Sequence, residues 1–80
     1  MNTTYYISKD EEIIFQTEKF NKTQLKEKFD ETAKTLSPGQ EVSYWKEDKK
    51  HIHPYMLWVI NINGELKVVT KHGKLKPYTI

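Results

Sequence analysis

The chain contains no cysteine and no arginine, only three glycines and three prolines, and no apolar run that approaches membrane-spanning length. Each shortage removes a class of explanation. Without cysteine there is neither a disulfide framework nor a thiolate metal site, so the core must form from burial alone. Without arginine the chain lacks the forked side chain that reads guanine edges and grips carboxylates with two bonds, which leaves base-specific reading poorly equipped. Gly39, Gly64 and Gly73 stand too far apart for a phosphate-cradling loop, and Ser8, Ser37 and Ser43 lack the flanking glycines of a nucleophile elbow. The first residues show no charged-then-apolar secretion pattern, so a reducing, cytoplasmic setting without membrane contact is the expectation.

What is present points to one small domain. Eighty residues support a single modest core. The densest apolar run is Met56–Leu57–Trp58–Val59–Ile60, and Asn63–Gly64 follows it. That pair readily takes the positive φ angles of a two-residue hairpin turn. Leu66–Lys67–Val68–Val69–Thr70 completes the hairpin, with Ile62 opposite Glu65, Ile60 opposite Lys67, Val59 opposite Val68 and Trp58 opposite Val69. Strand side chains alternate, so the two faces can be read apart. Leu57, Val59, Leu66 and Val68 share one face, with Asn61 and Thr70 at its margins; Met56, Trp58, Ile60, Ile62 and Val69 share the other with Glu65, Lys67 and Lys71. Burying unpartnered lysines is costly, so the first face is expected on the core and the second partly in water.

Around this hairpin the chain reads in order. Residues 3–8 and 12–17 are β-favouring, with Lys9–Asp10–Glu11 as a turn between them. Asn21 with Gln24 fits a capping box, Phe20 could pack back on the first turn, and Leu25, Phe29, Ala33 and Leu36 form one apolar stripe at helical spacing. Ser37–Pro38–Gly39 stops the helix. Residues 40–47 alternate with period two, and 48–54 form a charged connection closed by Pro54, a residue expected outside any central strand. Residues 71–74 make a turn and 75–80 a short edge strand. The fold expected is α+β, of order ββαβββ, with one helix packed on one face of an antiparallel sheet.

The candidate chemistry is sparse. His51 and His53 alternate on an extended segment and could supply two metal ligands, but a site needs more, and two solvated histidines are the simpler reading. The acids cluster as turn and helix-surface positions, so no acid–base pair is marked and no catalysis or cofactor is expected. Lysine is unevenly spread: residues 1–40 hold six lysines against seven acids, and residues 41–80 hold seven against four. Interleaved with these later lysines are Trp45 and Trp58, with Tyr44, Tyr55 and Tyr78 as further aromatics. If the 41–47 strand pairs beside 55–62, Trp45 and Trp58 stand on one uncovered face.

The surface expected to meet a partner is therefore Trp45, Trp58, Lys67 and Lys71, with Lys49, Lys50 and the loop to His53 at its rim. Aromatic anchors of this kind serve protein interfaces. The expectation is a non-catalytic binding protein that blocks or modulates a protein or nucleoprotein partner. No motif here fixes a family; by analogy only, a domain this small and without catalytic equipment is the sort of object that phages and mobile elements make as inhibitors of host defence or nucleic-acid-processing machinery, anti-CRISPR-like in kind. The alternative is direct binding of RNA or single-stranded DNA, with bases stacked on the aromatics and lysines along the backbone. Monomer and homodimer are both open.

Overall fold

A computed structural model describes residues 3–49 and 51–80, with Tyr55 described in its backbone only. Among the described residues there are six strands and one helix, one strand more than the expected ββαβββ order because the 75–80 segment does pair: β1 Thr4–Lys9, β2 Glu12–Thr17, α1 Lys22–Lys34, β3 Glu41–Glu47, β4 Ile52–Ile62, β5 Glu65–Val69 and β6 Leu75–Pro77. They form one antiparallel sheet in the spatial order β2-β1-β3-β4-β5-β6. Strand β3 therefore lies beside β4, as the two-tryptophan face requires.

The local signals act as their chemistry dictates. Asn63 and Gly64 both have positive φ, at 55° and 89°, and the β4–β5 register pairs Val59 with Val68, Ile60 with Lys67 and Ile62 with Glu65. Asp10 and Glu11 make a second two-residue turn with positive φ, a conformation that disfavours L-residues. The Asp10 backbone and carboxylate hold it, since the Asp10 N–H donates to the Glu41 carbonyl and Asp10 Oδ1 accepts from the Glu41 N–H, both at 3.0 Å. Asn21 caps α1, its Oδ1 accepting from the Gln24 N–H at 3.0 Å. Phe20 remains 60% exposed and rests on the Tyr5 ring, with centroids 5.3 Å apart.

The apolar stripe of α1 lies over β1 and β3. Leu25, Phe29, Ala33 and Leu36 meet Ile7, Val42 and Val59 in the buried core. Leu57, Leu66 and Val68 pack against it, so the face expected on the core is there. Among the described residues no helix lies on the other face of the sheet.

Two expectations change. Pro54 lies within β4, a central strand, because it falls in a break of the ladder: Tyr44 pairs with Leu57 but Lys46 pairs with His53. Two steps along β3 thus match four along β4, and the proline's missing N–H costs no pairing bond there. The same irregularity shifts Met56. Expected beside Trp58, it instead lines a hollow of about 620 Å³ on the helix side, with Phe20, Leu25, Phe29, Leu57 and Tyr78.

Two polar groups lock the helix layer. Asn61 is buried, and its side chain donates to the Leu36 carbonyl beyond α1 and accepts from the Gly64 N–H in the hairpin turn, both at 2.8 Å. Its backbone pairs with the 39–40 segment, the N–H donating to the Gln40 carbonyl and the carbonyl accepting from the Gly39 N–H. Tyr78, past β6, folds onto the helix: its hydroxyl donates to Asp30 and its ring meets Phe29 edge-on. Burial, then the bond to Asp30, raises the Tyr78 phenol well above its ordinary value of 10.0. Burial would raise the Asp30 carboxyl, but hydrogen bonds from Lys26 and Tyr78 and the charges of Lys26 and Lys34 outweigh it and hold the group low.

Asn61→Ala strands the buried Leu36 carbonyl and releases the Gly64 N–H in the exposed turn, and should cost about 1–3 kcal/mol in urea unfolding, with the slope unchanged. The Asp30–Tyr78 pair should give a stability plateau with two edges. A lowered carboxyl adds stability above an unfolded pKa of about 4 and loses it as pH falls through the folded value; a raised phenol adds stability below about pH 10 and loses it as pH rises further. Melting curves across pH should show Asp30→Asn flattening the acid edge and Tyr78→Phe flattening the alkaline one.

Candidate functional site

The uncovered face is built by alternation across five strands. Tyr6 pairs with Trp45, Ser8 with Ser43 and Ser43 with Trp58, which sets both tryptophans on this face. Ile60, Lys67 and Pro77 continue it in one row, and Val69 with Leu75 adds another. Ile52 and Leu75, 58% and 49% exposed, stand at opposite sides of this surface.

The aromatic centre is rigid. The Tyr6 and Trp45 rings stack with centroids 4.0 Å apart and planes 14° from parallel. Trp45 Nε1 donates to Ser8 Oγ at 2.9 Å, and the Tyr6 hydroxyl donates to Glu47 Oε1 at 3.2 Å. Loss of solvent around the ring, then the Glu47 bond, raises the Tyr6 phenol. Trp45 is therefore oriented by its neighbours on both sides before any partner arrives, which lowers the ordering cost of binding.

The lysines do not gather as composition suggests. Lys67 is on the open face, and its Nζ lies 3.3 Å from Glu65 Oε2. Lys46 and Lys76 fall on the helix side, opposite Tyr5 and Val68 respectively, both of which pack on the core. Lys49 and Lys71 are exposed in connections beyond the strands, and Lys50 lies outside the described residues. Glu41, Glu47 and Glu65 share the open face with Lys67, so its strand-borne charge is negative. Tyr44 and Tyr78 turn to the helix side and are unavailable for stacking on the open face; the Tyr55 side chain lies outside the described residues.

His51 and His53 do point together, with ring centroids 5.9 Å apart. Asp48 uses both oxygens on them, accepting from the His51 backbone N–H at 2.9 Å and meeting His53 Nε2 at 3.1 Å. Among the described residues no group of three potential ligands forms a metal site.

One feature of this face is invisible in the sequence pattern. Ser8 and Ser43 sit side by side between larger residues and floor a hollow of about 320 Å³, lined towards one end by Trp45, Ile52 and Pro54 and towards the other by Glu11 and Glu41. Only the β1–β3–β4 order brings these residues together; the two serines, small residues at facing positions, were the signal. No protein-family model, curated protein or solved structure matches the chain.

Trp45→Phe and Ser8→Ala should each cost about 1 kcal/mol of stability, and the double variant little more than either alone. Chemical denaturation of the four proteins measures that coupling.

Proposed function

We propose that this chain is a non-catalytic binding protein that blocks or modulates a protein partner, seating it on the open face of the sheet. The observation that carries the reading is the composition of that face: a fixed Tyr6–Trp45 stack, Trp58 and a spread of exposed aliphatic residues, with more carboxylates than ammonium groups. Buried aromatics ringed by apolar and polar contacts are what anchors a protein interface. Phosphate backbones need the opposite charge, and an acidic sheet face repels them. Direct RNA or single-stranded DNA binding through this face therefore ranks below a protein partner.

Two observations support the non-catalytic reading. Ser8 is engaged by the Trp45 indole, and among the described residues no histidine or carboxylate bonds either Ser8 or Ser43. The raised Tyr78 phenol is accounted for by burial and then by its bond to Asp30 on the helix. Small inhibitors carried by phages and mobile elements act by occupying a partner's surface, and the chain fits that class in size and equipment.

Affinity capture from bacterial lysate, with and without nuclease, tests the reading. A discrete protein should be recovered in both arms, and Ile52→Glu or Leu75→Glu should reduce its recovery about tenfold or more while leaving the melting temperature unchanged. Both positions are half exposed, so the substitutions act on the surface and spare the core. Recovery that depends on nucleic acid, or that ignores both substitutions, would sink the proposal.

A further inference from the structure

The hollow floored by Ser8 and Ser43 has a chemistry of its own. We infer that it receives an arginine side chain from the protein that binds the open face, an inference that rests on the proposed function. Ser8 and Ser43 offer hydroxyl groups at its middle, Trp45, Ile52 and Pro54 give apolar surface towards one end, and Glu11 and Glu41 place carboxylates at the other. From Ile52 and Trp45 at one end, past the serines, to Glu41 at the other, the hollow is apolar and then acidic along β3, which matches a long aliphatic stem laid along it and ending in a cation. A guanidinium presents five N–H donors in a plane and can satisfy several acceptors at once, whereas an ammonium is a point charge that holds its water more tightly. Stacking on the indole adds to this, and Tyr6 already occupies one side of the Trp45 ring.

The acceptors are available. Ser43 is 8% exposed, and among the described residues nothing bonds to its hydroxyl. Ser8 Oγ accepts from Trp45 Nε1 and keeps its own proton to orient. Neither Glu11 nor Glu41 has a side-chain hydrogen bond or ion pair among the described residues. Asp10 adds a third carboxylate nearby, its backbone and side chain bonded to the Glu41 backbone. Lys9, the nearest lysine in sequence, pairs in register with Val42 and so belongs to the opposite face, away from the hollow. The acidic end therefore has no basic residue of its own chain against it on β1. An inorganic cation is poorly served, because the described acids and histidines form no group of three.

The test is an NMR titration of the isotope-labelled protein with N-acetyl-arginine methylamide, set against the neutral citrulline analogue of the same shape. Arginine should move the Ser8, Ser43, Glu11 and Glu41 amides and the Trp45 indole N–H. Its affinity should exceed that of citrulline by roughly tenfold, and Glu11→Gln with Glu41→Gln should remove the difference. Equal shifts with citrulline, shifts scattered over other surfaces, or none at millimolar concentration would overturn the inference. A second measurement separates it from the reading it rests on. A partner lost on Ile52→Glu or Leu75→Glu, yet retained by the Glu11→Gln/Glu41→Gln protein, leaves the open-face reading standing and removes the arginine. A partner indifferent to Ile52→Glu and Leu75→Glu, in a protein that still binds arginine, removes the face reading and leaves a small-ligand hollow.

Discussion

A helix of 13 residues is about 20 Å long, and the character of the molecule follows from where that length is laid. A six-stranded sheet has two faces to protect from water, and this chain has one helix to do it. Laid over β1 and β3, α1 completes a core of Ile7, Val42 and Val59 on one side. Among the described residues nothing forms a layer on the opposite side, which carries Tyr6, Trp45, Trp58 and a series of aliphatic residues. Apolar surface left in this way is the ordinary mark of a surface that meets something else. The helix side is also incompletely covered towards β4, which leaves the hollow around Met56 and Leu57.

The polar locks explain how so small a core holds a defined geometry. Asn61 ties the segment after α1 to the central hairpin, and Tyr78 returns the end of the chain to Asp30 on the helix. Each joins parts of the chain that are far apart in sequence, so each fixes the helix against the sheet rather than adding to local propensity. With the helix fixed behind the sheet, the Tyr6–Trp45 stack stands on a defined backbone register at the front. Preorganisation of that kind is what the fold would contribute to the proposed binding.

Much of this was legible in the residues because alternation and turn chemistry are local. Asn63–Gly64 set the register of β4 and β5, and the uncharged set of Leu57, Val59, Leu66 and Val68 identified the core side. Asn21 and the Leu25–Leu36 stripe marked the helix. The misreadings all involve information that alternation does not carry. The irregular pairing near Tyr44 and Lys46 admits Pro54 to a strand and turns Met56 to the helix side. Counting lysines in the second half suggested a basic surface, but register distributes them over both faces and the turns. The serine-floored hollow needs β1, β3 and β4 side by side, and strand order is set by the whole sheet.

The central claim is that partners meet the face opposite the helix. The absence of native cysteine allows it to be tested by single cysteines placed at Ile52 and Leu75 on that face and at Thr23 and Glu31 on the exposed surface of α1. Maleimide labelling of the free protein and of its captured complex is the most direct measurement. Protection confined to positions 52 and 75, with 23 and 31 labelled at the free rate, is the predicted result; protection of the helix positions, with 52 and 75 still reactive, would contradict it.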